Sequence, residues 1–344
     1  MVLIKGEGVG SGFGEPRREE EPMGIRAAIF SPGQGGAFVG MGRDLYENSR
    51  VAREAFDEAD EFLGFPISRL CFEGPKDELV MTGNQQLALL TNAEAALRAT
   101  ENFFPDFKKI KKVAGGGVSF GEMTALLAAR VYDFKTGLYI VQQRGRIMHE
   151  VAGGDKEGAM SLVSGLDREI VDAICKETGV SGAIYYPGNR IVISGTLKNL
   201  KNAEIVCKER GAKNVIPAGV PYAFHSPIMG PAEEELKRLI KEMEEAGVIF
   251  NNPQYPIIAN STGEIVDTWE KLKVLIPMQM TNPVDSQKLI APVKKLGANV
   301  VLELGPKRML AGHINRVFPD LPVIGIHDMQ SVQTLGENLQ LLAA

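Results

Sequence analysis

The chain has 344 residues, 44% hydrophobic and 24% charged, a balance typical of folded domains and unlike that of disordered chains. Its 38 Lys and Arg against 43 Asp and Glu leave a net charge of −5, so no general field attracts a nucleic-acid backbone or an anionic membrane. With 38 glycines and 19 prolines it is not of low complexity, and its length suggests about two domains, each with a core.

Cys71, Cys175 and Cys207 are odd in number, far apart and without C-x-x-C spacing, so neither a disulfide framework nor a metal site is expected. No stretch reaches the ~18 apolar residues of a membrane span, and the N-terminus lacks the apolar core of a secretory signal. The expectation is a cytoplasmic protein with no nucleic-acid or membrane partner.

Residues 1–22 mix glycine and charge without a period and read as a flexible extension, the folded part starting effectively at Met23. MGIRAAIF ends in an apolar strand. From Ser49, a serine N-cap, VAREAFDEADEFL sets Val51, Ala55, Phe56, Ala59, Phe62 and Leu63 at helical spacing. A more apolar helix follows over residues 86–100. KKVAGGGVSFGEMTALLAAR runs from a short strand through glycines into a helix, and DFKTGLYIVQQRGRIMHEVAGG is a helix capped by Asp133 with Gly153 beyond its end. From Gly158 to Pro217 the elements shorten: AMSLVSG, REIVDAICKET, AIYY, RIVISG, NLKNAEIVCKER and KNVIPAG give the order βαββαβ, a split βαβ or ferredoxin-like pattern inserted in a larger α/β domain. Afterwards Pro231 opens a helix, and PIIAN, NVVLELG and LPVIGI are strands.

The sharpest local signal is Gly117-Val118-Ser119-Phe120-Gly121, a G-x-S-x-G between strand and helix. Such an elbow presents the serine hydroxyl at the sheet edge, with the Phe120 amide facing a developing oxyanion. A structural glycine turn is the competing reading. His225, on a loop between a strand and the helix begun by Pro231, is placed to serve as base, against the alternative of an ordinary structural histidine. His149, His313 and His327 lack that loop position and carry no assigned role. Arg144 lies beside the inward stripe Leu138, Val141, Gly145 and Met148, where a guanidinium takes either a structural ion pair or a substrate carboxylate. Gln34 follows the first strand within SPGQGG. A phosphate cradle is excluded there, because no lysine follows at P-loop spacing and no acidic residue suits a ribose. Gln34 is either an oxyanion-side group, by amide side chain or backbone, or part of a tight turn.

Together these residues resemble the malonyl-CoA:acyl carrier protein transacylase family, which includes the acyltransferase domains of fatty acid and polyketide synthases. The resemblance runs from about residue 25 to 335 through IFSPGQGG, VGMGRDL, Thr82 to Gln86, GVSFGE, QRGRIM, IVISG, YAFHSPIM, Gln279 with TNPV, and ELGPKRML. It implies an α/β-hydrolase-like large domain (residues 23–154 and 220–344) around a ferredoxin-like small domain (155–219), with the active site in the cleft. It also implies Ser119 as nucleophile, His225 as base, Arg144 on the malonyl carboxylate, Gln34 and Phe120 at the oxyanion, and Gln279 orienting the histidine through its backbone. The implied reaction is ping-pong transfer of malonyl from malonyl-CoA to the phosphopantetheine thiol of acyl carrier protein, with no cofactor, in a monomer. A carrier thioester hydrolase and a non-catalytic malonyl-CoA binder are the alternatives.

Three positions depart from the family pattern: Val118 stands where His is usual, an Asn is replaced near Tyr186, and an aromatic is replaced near Ser286. YAFH is intermediate between patterns associated with malonyl and methylmalonyl selection. Lys307, Arg308 and Arg316 are candidates for an acidic carrier's landing surface, though a solvated helix face explains them as well.

Overall fold

The computed structural model describes residues 24–151 and 158–343. The readings of residues 1–22, of Met23 as the start and of Gly153 lie outside the described residues. Strands β1 (Arg26–Ser31), β2 (Lys111–Gly117), β3 (Gly158–Ser164), β4 (Ser181–Tyr186), β5 (Arg190–Thr196), β6 (Asn214–Pro217), β7 (Ile257–Ile258), β8 (Ile265–Val266), β9 (Val284–Asp285), β10 (Val300–Leu304) and β11 (Val323–Ile326) form two sheets.

The larger sheet has the order β11-β10-β1-β2-β7-β8 and is parallel except for the β7–β8 hairpin. Both faces of β1 are covered. Successive strand side chains point to opposite faces, so Ala27 and Ile29 enter one apolar cluster and Ala28 and Phe30 another. The first cluster is built around the helix Thr82–Phe103, buried on nearly every side, which is why its sequence lacks a polar face. The second lies under the helices Ser286–Lys295 and Ala311–Val317.

The smaller sheet has the order β6-β3-β5-β4-β9, antiparallel from β6 to β4. The helices Arg168–Thr178 and Leu197–Glu209 bury Val171, Ile174, Leu200 and Ala203 with Val163, Ile191 and Ile193 of its strands in a third cluster. The βαββαβ order of elements is therefore present between Gly158 and Pro217. Strand β9 adds a feature absent from that pattern. It comes from the C-terminal part of the chain, pairs in parallel with β4, and is fastened by Arg168 donating to Asp285 at 2.6 Å.

Local readings stand where their physical signal was simple. Ser49 accepts from the Ala52 amide to cap the helix Arg50–Leu63, and Asp133 accepts from the Thr136 amide at the head of Phe134–Val151. On Arg50–Leu63 the buried stripe is Ala52, Ala55, Phe56 and Ala59, while Phe62 is exposed. The stripe read through Phe62 is thus rotated, because the small alanines face the tightly packed helix Thr82–Phe103. Of PIIAN only Ile257–Ile258 pairs. No helix among the described residues is long and apolar enough to cross a membrane.

Candidate active site

Backbone sterics build the elbow. A Cβ on Gly121 would lie 2.1 Å from the Ser31 carbonyl oxygen, and one on Gly117 would lie 2.3 Å from the Gly121 carbonyl carbon. Only glycine lets β1, β2 and the helix Gly121–Ala128 approach this closely. Ser119 itself takes the left-handed conformation at φ 53°, strained for a residue with a Cβ. Two bonds from the buried Asn260 hold it there: Oδ1 accepts from the Ser119 amide at 2.7 Å, and Nδ2 donates to the Gly117 carbonyl at 2.7 Å.

His225, also at left-handed φ (56°), reaches the serine across 106 residues of sequence. Its Nε2 lies 2.8 Å from Ser119 Oγ, and its Nδ1 lies 2.8 Å from the Gln279 carbonyl oxygen. A carbonyl only accepts, so Nδ1 carries the proton and Nε2 is left as the acceptor that a base requires. Burial pushes the imidazole down to about 4, with the Arg144 charge adding to the effect and backbone hydrogen bonds opposing it. The ring is therefore neutral at physiological pH.

Arg144 sits deeper than the edge of a core: it is 2% exposed and shares the buried stripe of its helix with Val141, Gly145 and Met148. Among the described residues it makes no ion pair. It donates to Gln86 Oε1 at 2.6 Å and to Gln279 Oε1 at 2.9 Å. Burial lowers it to about 10, so it remains a cation near neutrality. Gln34 supports this arrangement: its Oε1 accepts from Gln86 Nε2 at 3.1 Å, and its Nε2 donates to Gln85 Oε1 at 3.2 Å. The Gln34 side chain is thus spent on Gln85 and on Gln86, the partner of Arg144. The loop bearing Gln34 presses on the elbow, since a Cβ on Gly33 would meet the Val118 carbonyl oxygen at 2.6 Å.

At the helix head the Gly121, Glu122 and Met123 amides bond back to the Val118, Ser119 and Phe120 carbonyls. The Ser119 amide is taken by Asn260, so Phe120 N–H is the next donor beside the serine. Val118 turns the other way. It packs with Phe30, Ile290, Leu310 and Ile314 around a cavity of about 10 Å³ that Ser286 and His313 also line. His313 meets Tyr186 edge-on at 4.6 Å, and His149 Nδ1 lies 2.9 Å from the Tyr222 hydroxyl.

Three site residues had no assigned role in the sequence: Gln86, Asn260 and Glu122. Glu122, buried in the first turn after the elbow, accepts from the Asn260 amide at 2.8 Å and from Gln279 Nε2. Burial raises its carboxyl to about 7 against the pull of those donors and of Arg144. Its only sequence signal was an acidic residue within an otherwise apolar helix.

An acyl transferase domain family model matches residues 29–340, which spans every one of these residues. The chain belongs to the malonyl-CoA:acyl carrier protein transacylase family. It is an acyltransferase. It is 34% identical to the malonyl CoA-acyl carrier protein transacylase of Bacillus subtilis, over 92% of this chain and 98% of that one. It is 30% identical to the enzyme of the same name from Haemophilus influenzae, over 91% and 98%. Among solved structures, the acyl-carrier-protein S-malonyltransferase of Bartonella henselae superposes with a TM-score of 0.85 at 30% identity, covering 92% of this chain and 99% of that one. A malonyl-transacylase in complex with its type II PKS acyl-carrier protein gives 0.83 at 31%, covering 91% and 99%.

Proposed function

We propose that this acyltransferase moves a malonyl group from malonyl-CoA to the phosphopantetheine thiol of an acyl carrier protein through a malonyl-Ser119 intermediate. The observation that carries this reading is the Ser119–His225 pair at 2.8 Å within one network with the buried cation Arg144. The relatives' names supply the donor and the acceptor.

In the first half, the malonyl carboxylate sits on Arg144 and the thioester carbonyl meets Ser119. His225 Nε2 takes the Oγ proton, Oγ bonds to the carbonyl carbon, and the oxyanion rests on the Phe120 amide and the backbone amide of Gln34. Collapse breaks the C–S bond, and CoA leaves with the proton returned by imidazolium. In the second half the carrier thiol gives its proton to His225, its sulfur attacks the malonyl ester, and Ser119 recovers the proton as malonyl departs. A ring that is neutral near pH 7, with its tautomer set by the Gln279 carbonyl, is available as the base in both halves, and its imidazolium returns the proton readily. Val118, turned away from the serine, does not disturb the pair.

The two sheets are read as an α/β-hydrolase-like large domain (residues 23–154 and 220–344) around a ferredoxin-like small one (155–219), with the active site between them and the monomer as the working unit. The carrier is proposed to land near Lys307, Arg308 and Arg316. There Lys307 lies over the Phe38 ring, and Arg308 donates to the Val323 carbonyl.

The test is intact-mass spectrometry after brief mixing with malonyl-CoA, with Ser119→Ala as control. A malonyl adduct on the unaltered protein alone, discharged by a carrier, supports the reading. Free malonate outrunning malonyl-carrier makes the protein a thioester hydrolase, and no adduct from protein that binds malonyl-CoA makes it a binder.

A further inference from the structure

Gln279 is the crossing point of the site. Its backbone carbonyl accepts from His225 Nδ1, its Oε1 accepts from Arg144, and its Nε2 donates to the Ser119 carbonyl at 3.1 Å and to Glu122. The buried carboxylate fixes that orientation. An ionised carboxyl has no proton to give, so Glu122 requires donors, and Nε2 of Gln279 with the Asn260 amide supplies them. The amide oxygen then faces Arg144. One amide thus stands between a buried anion and a buried cation, and the pair is neutral as a whole.

A substrate carboxylate changes this balance. With malonyl on Arg144, two carboxylates share one buried guanidinium, and two buried like charges near one another raise the pKa of the group that can neutralise. Two ionisable groups nearby do not relieve it: the Tyr132 phenol is raised by burial and then by the same carboxylate, and His225, which shares Gln279 with Glu122, is held neutral by burial and the Arg144 charge.

Resting on the reading that malonyl-CoA is the donor, we propose that Glu122 is the resident counter-charge of Arg144, acting through Gln279, and that it takes up a proton from solvent when a substrate carboxylate occupies Arg144. Glu122 is then a positioning residue. A donor without that carboxylate leaves it unchanged, so protonation separates malonyl from acetyl binding. The raised carboxyl, about 7 in the free protein, places the effect in an accessible range: uptake is expected above that pH and vanishes below it, where the proton is already present.

The experiment is isothermal titration calorimetry of the Ser119→Ala protein with malonyl-CoA and with acetyl-CoA, at pH 8 and pH 5.5, in buffers of different ionisation enthalpy. The expected result is more than half a proton taken up per malonyl-CoA at pH 8, close to none at pH 5.5, and close to none with acetyl-CoA at either pH. Glu122→Gln in the same background should bind malonyl-CoA without proton uptake. Binding without uptake at pH 8 overturns the proposal, as does uptake that persists in Glu122→Gln, which would assign the proton to His225. Equal uptake at both pH values in the parent overturns it without need of the second variant. Absence of malonyl-CoA binding removes the donor assignment itself, and this proposal with it.

Discussion

Arg144→Ala separates a specificity arginine from a structural one. In the free protein the guanidinium donates to Gln86 Oε1 and Gln279 Oε1, both inside the protein. Removing it leaves two buried acceptors without a donor, at about 1–3 kcal/mol each, so a stability loss of about 2–6 kcal/mol is expected. The variant must therefore be assayed at a temperature where circular dichroism shows it folded. On malonyl-CoA the loss is larger than structural damage alone. A carboxylate on Arg144 gains charge-assisted hydrogen bonds of about 1.5–3 kcal/mol each, and loss of two lowers kcat/KM by about 10²–10⁴-fold. Acetyl-CoA makes none of those bonds, and in the unaltered protein it leaves Arg144 with only its resident partners Gln86 and Gln279. Acetyl acylation of Ser119 should therefore persist or rise in the variant. The assay is the rate of acyl-enzyme formation with each donor, followed by intact mass. An equal fall with both donors would refute the reasoning and make Arg144 a scaffold for Gln86 and Gln279.

Further expectations follow from the same geometry. Asn260→Ala strips the Ser119 amide and the Gly117 carbonyl of their partners, and at about 1–3 kcal/mol for each group left buried it should both destabilise the fold and slow acylation. Denaturant melts and single-turnover rates would show this. Gly121→Ala sets a Cβ 2.1 Å from the Ser31 carbonyl oxygen and should cost roughly 1–3 kcal/mol or more through displacement of β1 from the elbow, with loss of the acyl adduct; a normal melt with normal acylation would contradict it. His225, pushed down to about 4 in the free protein, stays a neutral base well below neutrality, so protonation of this ring should not lower kcat/KM for acylation until near pH 4. The sign for stability is opposite in direction to a paired histidine. The unfolded chain takes the proton near 6.5, so this group weakens the fold progressively as pH falls from 6.5 towards 4, an effect visible in melts of the unaltered protein against His225→Gln. Charge reversal at Lys307 and Arg308 should raise the carrier KM several-fold with malonyl-CoA kinetics unchanged, and an unaltered carrier KM would remove that surface from consideration.

What the sequence determined was set by short-range physics. The serine elbow follows from glycines on either side of Ser119, which alone tolerate the 2.1 and 2.3 Å approaches found there. The caps at Ser49 and Asp133 follow from side chains that satisfy amides a turn away. The βαββαβ order was legible because each of its elements carries its own period. Helices containing Pro277 and Pro292 were not, since a proline inside a helix imitates a break. Strand β9, two residues long, owes its existence to pairing with β4 and has no period to read.

The chemistry of the site was decided only in three dimensions. Residue types announced a nucleophile, a base and a cation, but their partners lie far along the chain: 135 residues from Arg144 to Gln279 and 141 from Ser119 to Asn260. No local rule gives the Gln34 side chain to Gln85 and Gln86 and so withholds it from the oxyanion. Nor does one turn Val118 away from the serine, or put a carboxyl that titrates near 7 on the far side of one amide from Arg144. Burial and hydrogen-bond satisfaction depend on what the whole chain packs against a group, and the sequence records the group alone.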